Sequence, residues 1–185
     1  MITDPSLGYA IFFDRDSYAG LVRRLLAMIT DGIVLFLAAV AIGTPLMMLL
    51  GDPTTGQFPE PLFLVLWIAF NWFYLTAIKR SRFRTIGYRI FGIQIVTTHG
   101  TRPTLTAMTF RLAMWVFGPF NFILDMVWLG ADTEHQTLRD CYACTYVVRA
   151  RAQPLGTAPV HLTRYFGAGL APSYPRVLRR TSDLA

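Results

Sequence analysis

The sequence predicts an all-α membrane protein built on an N-terminal transmembrane helical hairpin, and three observations predict it. Its hydrophobic residues, 54% of 185, are gathered into three long blocks instead of recurring at the spacing of a soluble amphipathic helix. The first two blocks contain a single charged residue, Asp31. Lys79, Arg80, Arg82 and Arg84 follow the second block at once, as the cytoplasmic end of a span requires. The rest of the fold class is a third apolar block broken at Gly118-Pro119 and read as two helices, a small cytoplasmic β-ribbon and an extended C-terminal tail.

The first span runs from Leu25 to Leu50, with Pro45 late enough to kink its outer end without ending it. It exceeds the roughly 20 residues a bilayer crossing needs, so it has length to tilt. The second span runs from Pro61 to Ile78, with Trp67, Trp72 and Tyr74 among its aromatics and Asn71 as its strongly polar side chain. The turn between them, around Asp52, has no basic residue. The positive-inside rule therefore places the N-terminus and the segment after Ile78 in the cytoplasm and that turn outside. The first twenty residues carry Asp4, Asp14 and Asp16 and lack the apolar core of a secretory signal, so the first span is read as a retained anchor. No lipidation signal is recognised.

The third block spans Thr104 to Leu129. A single crossing would strand Arg139, Arg149, Arg151, Arg164, Arg176, Arg179 and Arg180 outside, against the same rule. The favoured reading is a pair of helices that dip into the membrane and return at Gly118-Pro119, packed on the hairpin. Before this block, alternation over Ile93 to Thr98, a turn at His99-Gly100 and a return over Thr101 to Leu105 suggest a β-ribbon, with Tyr88 to Gly92 along the membrane surface. After Arg149 the chain turns to Pro, Gly, Ala and Arg, which lack the apolar content for a core and should stay extended unless they dock. The organisation is thus a cytoplasmic segment over 1–17, a transmembrane domain over 18–149 and a Pro/Arg-rich cytoplasmic tail over 150–185.

An aspartate near the middle of a span opposes insertion by about 2.5–3.5 kcal/mol, so Asp31 must face protein or water. Arg24 lies seven residues earlier, nearly two helical turns and about 10 Å away on the same face, too far for direct pairing. Asn71, Arg111 or bound water are the candidate partners of Asp31. Asp125 is a second acid within an apolar block. Asp140 follows in a polar stretch that returns to the level of Arg24 if the third block turns back, where a charge-assisted Arg24–Asp140 contact would lock the last segment onto the first. Lys79, Arg80, Arg82 and Arg84 read as contacts to anionic headgroups. Cys141 and Cys144 lack the βαβ context of a redox pair and the further ligands of a zinc site, so they read as two reduced thiols.

These residues resemble the RDD family of membrane proteins. The resemblance is carried by Tyr18 through Arg24, by Asp31, by Thr85, Gly87, Arg89 and Gly92, and by Gln136 to Asp140 followed by Ala143 and Thr145, and it covers Tyr18 to Arg149. The family's defining arginine and two aspartates correspond to Arg24, Asp31 and Asp140. Two departures stand out: the family usually has Gly where Cys144 stands, which bears on packing near Asp140, and a basic residue where Tyr88 stands, which removes a headgroup contact. The resemblance implies a membrane protein without a settled molecular function. Transport of unidentified ligands is suggested for the family, and some members are similar to sodium/proton antiporters.

Two functional readings follow. Arg24, Asp31 and Asp140, with Asn71, Arg111 and Asp125, are either polar ties within an accessory subunit of a larger membrane complex, or the ion- or proton-binding groups of a transporter working as an oligomer through Asp31. The sparse site favours the subunit. No catalytic order, metal spacing or phosphate loop supports an enzyme, and no cofactor or metal is expected. The expected partners are an anionic bilayer and other membrane subunits or further copies of the chain. Nucleic acid is not expected, because a basic run directly behind a span is a lipid contact. The expected location is the inner membrane, with both termini cytoplasmic.

Overall fold

The structure, a computed structural model, describes residues 7–51, 58–116, 136–164 and 173–177. Helix α1 spans Leu21–Leu50, 30 residues that continue through Pro45. At 1.5 Å per residue it is about 45 Å long, more than the ~30 Å of a bilayer's hydrocarbon core. Helix α2 spans Glu60–Trp72 and starts with Pro61 in its first turn, where a missing N–H costs nothing. It continues as a π-helical turn over Phe73–Ile78. The two helices pack on each other, with Gly43 facing the Phe63 ring. Along α2, Phe63, Trp67, Phe70 and Tyr74 stack successively with centroids 6.1–6.3 Å apart. That column ends at the Tyr74 hydroxyl, beside α1.

Both helices are long and apolar enough to cross a membrane, and they bury little. Val22, Ile29, Ile33, Phe36, Leu37 and Val40 form an exposed apolar face of α1, Phe36 being 67% exposed. A face of that extent is stable against acyl chains or another apolar helix, not against water.

The end of the pair that carries the chain past Ile78 is capped by short elements. Helix α3 (Ile86–Ile90) packs on α1 and leads into strand β2 (Ile93–Thr97). Helix α4 (Leu105–Val116) packs on the π-helical turn, and helix α5 (Leu138–Tyr142) leads into strand β3 (Thr145–Arg149). Strand β2 pairs antiparallel with β3, Ile95 opposite Val147, and not with Thr101 to Leu105 as the ribbon reading expected. The physical reason is burial. Residues 145–148 are buried on both faces: Val147 joins Ile93, Ile95, Met108 and Ala27 in one core while Tyr146 and Val148 face a second, whereas Thr101 to Thr104 holds Pro103 and little apolar surface. The turn at His99-Gly100 does form, with Gly100 at φ +78 and its N–H bonded to the Thr97 carbonyl at 2.9 Å.

The tail also departs from expectation. Strand β4 (Gly156–Arg164) lies between strand β1 (Tyr9–Phe12) and strand β5 (Ser173–Val177) in an antiparallel sheet of order β1-β4-β5. Alternate residues Ala10, Phe12, Ala158, Val160 and Val177 point into one core with Phe13, Tyr18, Tyr146 and Val148. The tail docks because Phe12, Phe13, Tyr18 and Tyr146 supply the apolar surface on which Ala158, Val160 and Val177 are buried. N-terminal segment and tail therefore share one layer, tied to the β2–β3 ribbon by the Tyr18–Val148 bridge and the Ile11 N–H to Thr98 carbonyl bond of 2.8 Å. The Asp52 turn, the Gly118-Pro119 break and Asp125 lie outside the described residues.

Candidate functional site

Two buried carboxylates organise the junction between the long helices and the cap. Asp31, 3% exposed, points from α1 toward the π-helical turn and α3. Its Oδ1 accepts from the Tyr74 hydroxyl at 3.0 Å and from the Gly87 backbone N–H at 2.8 Å. Its Oδ2 accepts from the Thr85 hydroxyl at 2.8 Å and stands 4.0 Å from Lys79 Nζ. Tyr74 in turn accepts from the Ile86 N–H at 3.1 Å, so one phenol joins the helix pair to the start of α3. The wider π-helical turn sets the register that buries both Tyr74 and Thr76.

Gly87 is required at its position by proximity. A Cβ there would lie 2.2 Å from the Ala27 carbonyl oxygen and 2.9 Å from Asp31 Oδ1. Only a glycine lets the α3 backbone approach α1 closely enough for its N–H to reach the carboxylate.

The second carboxylate, Asp140, is fully buried. It caps α5 reciprocally with Thr137: the Thr137 N–H donates to Asp140 Oδ2 at 3.2 Å and the Asp140 N–H to Thr137 Oγ1 at 3.3 Å. Arg24 Nη1 donates to Oδ2 at 2.5 Å while Arg24 Nε holds the Ala19 carbonyl at 2.8 Å, and Arg111 Nη1 pairs with Oδ1. Arg111 also donates to the Thr145 hydroxyl. Burial alone would raise the Asp140 pKa, but the positive charges of Arg111, Arg24 and Arg139 outweigh it and hold the carboxyl well below the usual range. The pairing clamps α1, α4, α5 and β3 together.

The sequence-level site is thus divided. Arg24 and Asp140 come together, and Arg111 joins them instead of Asp31. Asn71 donates to the Trp67 carbonyl of its own helix at 2.8 Å and does not reach Asp31. The reason for both corrections is geometric: Arg111 on α4 faces α5 and β3, and Asp31 already has donors from the π-helical turn and the start of α3. Lys79 and Arg84, read as headgroup contacts, turn inward. Lys79 Nζ stands 4.3 Å over the Tyr88 ring and faces Asp31, and Arg84 Nη1 donates to the Ile93 carbonyl at 3.3 Å. Arg82 is exposed and Arg80 partly so. Tyr74, Thr85 and Gly87 are ligands of Asp31 that the sequence reading lacks, although a phenol inside a span needs a polar partner and is a usable signal.

Between the two carboxylates lies a half-open cavity of about 290 Å³. Arg24, Asp31, Lys79, Arg111 and Arg139 reach it, and Met28, Leu35, Leu75, Met108 and Leu112 form apolar walls. Among the described residues no three His, Cys, Asp or Glu side chains gather as a metal site.

The sequence model of the RDD family matches residues 18–144, a segment that holds α1 to α5, both carboxylates and every donor to them. The chain belongs to the RDD family. With two apolar helices of crossing length, it is an RDD-family membrane protein. No match was found among curated proteins or among solved structures.

The family context clarifies the two departures from the RDD pattern. Cys144, where the resemblance expects glycine, has φ +50, in the left-handed region where glycine is unstrained, and it is exposed, so a glycine there would answer to backbone conformation and not to close helix packing. Tyr88 is buried beneath Lys79 and so does not stand where a headgroup contact would be lost.

Proposed function

We propose that this RDD chain is a non-catalytic subunit that packs on a larger membrane complex and stabilises it. The observation that carries the reading is the complete satisfaction of Asp31 by its own chain: two side-chain hydroxyls, one backbone N–H and a nearby ammonium surround it. A carboxylate so enclosed acts as a tie that fixes one packing of helix against cap. The long exposed face of α1 is suited to a partner helix as well as to lipid. The exposed cap sheets would supply the contacts outside the bilayer. In this reading the chain sits in the inner membrane with both termini cytoplasmic, and it has no catalytic or nucleic-acid-binding role.

A second reading is favoured by one observation, that Asp31 and Lys79 reach an open cavity. An oligomer could use such a carboxylate to bind and exchange a proton or cation. Purification of the tagged chain from its native membrane in mild detergent separates the two. The subunit reading expects a stoichiometric complex containing other polypeptides. Recovery of the chain alone or as a homo-oligomer, with cation or proton flux in reconstituted vesicles, would overturn it.

A further inference from the structure

The packing of α3 fixes where the bilayer ends on the capped side of the helix pair. Helix α2 and its π-helical turn cover Glu60–Ile78, 19 residues, with a rise of about 28 Å that matches the ~30 Å hydrocarbon core. Gly43 of α1 faces Phe63 and Asp31 bonds Tyr74, an antiparallel register that sets Ile78 level with Ala27. Leu21 to Leu26 therefore rise about 9 Å past the hydrocarbon edge, through the headgroup layer. Helix α3 lies at that depth. Thr85 meets Asp31, Gly87 abuts the Ala27 backbone and Arg23 reaches the Phe91 carbonyl at 3.4 Å, so α3 climbs beside α1 toward its start. Its two sides differ in exposure. Thr85, Gly87 and Tyr88 are buried, whereas Ile86 and Ile90, four residues apart, are 46% and 64% exposed, and Phe83 in the preceding turn is 77% exposed. Arg82 and Arg89 are exposed beside them. Large apolar side chains edged by arginines make the composition of a segment that lies in a membrane interface, and they are costly in water.

We propose that α3 and the turn before it form an interfacial wedge in an anionic bilayer surface, with Phe83, Ile86 and Ile90 among the uppermost methylenes and Arg82 and Arg89 on lipid phosphates. Three observations select lipid as the occupant of this face. Its depth coincides with the headgroup layer, it continues the exposed apolar run of Val22, Leu26 and Ile29 on α1, and its flanking charges are positive. Arginine stems are long enough to reach the phosphates while their apolar neighbours stay lower. The wedge differs from a simple basic run behind a span, because Lys79 and Arg84 turn inward and apolar side chains make the contact. It also sets the depth of the buried carboxylate. Asp31 lies about 6 Å inside the hydrocarbon edge and not at mid-span, and lipid on the outer side of α3 keeps Thr85 and Gly87 seated on it. The wedge stands whether or not the chain assembles with other subunits.

The test places nitroxide labels on the full chain at Phe83→Cys, Ile86→Cys and Ile90→Cys, one at a time, in vesicles of phosphatidylglycerol and phosphatidylcholine. Cys144→Gly removes the exposed native thiol at a φ that glycine adopts without strain, and Cys141 is buried. Oxygen, which concentrates among acyl chains, should relax the labels at 83 and 86 more than a water-soluble nickel chelate does, with a smaller contrast at 90. Phe36→Cys on the exposed face of α1 gives the deep reference, and Tyr9→Cys, exposed on β1, the aqueous one. Spin-labelled phosphatidylglycerol should be enriched over phosphatidylcholine beside the protein, and Arg82→Gln combined with Arg89→Gln should lower that enrichment. All of these side chains are exposed, so the variants leave the core intact. Labels at 83, 86 and 90 that respond like Tyr9→Cys would put the face in water and overturn the proposal. So would labels shielded from both reagents, the mark of a second copy of the chain covering it. Enrichment of phosphatidylglycerol that survives loss of both arginines would contradict the phosphate contacts.

Discussion

Asp140→Ala is expected to destabilise the protein by about 3–5 kcal/mol, the range for breaking a buried ion pair by removing one partner. The loss is large because one carboxylate faces two guanidinium groups and closes the cap of α5, and its removal leaves Arg24 and Arg111 opposed across a buried space. Arg24→Met should cost less, since Arg111 still faces the carboxyl. Denaturant or thermal unfolding of the purified chain in detergent measures both. The same carboxyl sets a pH dependence. Its pKa is depressed in the folded state, so its stabilising contribution is fully present above the ordinary aspartate value of about 4 and is lost as pH falls through the folded value. Wild type should therefore lose stability below about pH 4 relative to Asp140→Ala, whose curve lacks that component. Parallel curves for the two proteins would show that Asp140 is not held ionised by its arginines.

Gly87→Ala is the second large effect, at about 3 kcal/mol, because one methyl group must displace backbone. Its Cβ would lie 2.2 Å from the Ala27 carbonyl oxygen, so α3 has to withdraw from α1 and its N–H leaves Asp31. The control is Gly32→Ala, on the turn after Asp31. With no atom within 4 Å of the new Cβ and a helical backbone, it should be neutral or stabilising by up to about 1 kcal/mol. If both variants unfold alike, close approach of α3 to α1 is not what demands glycine at 87.

Patterning reveals some parts of this fold and not others. The two long helices were legible because block length and charge exclusion are local properties, and the structure starts α1 four residues before and α2 one residue before the predicted spans. The Arg24–Asp140 contact was legible because charge placement brings both to one level. The ligands of Asp31 were not. One is a backbone N–H, which no side-chain pattern reports, and another is a hydroxyl whose direction depends on a π-helical turn that 3.6-residue periodicity does not foresee. Strand partners failed for a different reason. Residues Ile93 to Thr97 alternate as a strand should, but their partner lies some fifty residues later, and Tyr9 to Phe12 meets Gly156 to Pro159 across most of the chain. Local turn signals favour the nearest segment, whereas buried apolar area selects the distant one.

The central claim is that Asp31 is a structural tie satisfied within its own chain. It is tested most directly by Asp31→Asn, with stability, assembly and cation or proton flux measured on the same preparation. The account predicts lower stability and loss of assembly with partner subunits, with no flux in wild-type vesicles to be lost. Flux in wild type that disappears in Asp31→Asn, with folding and assembly unchanged, would contradict it.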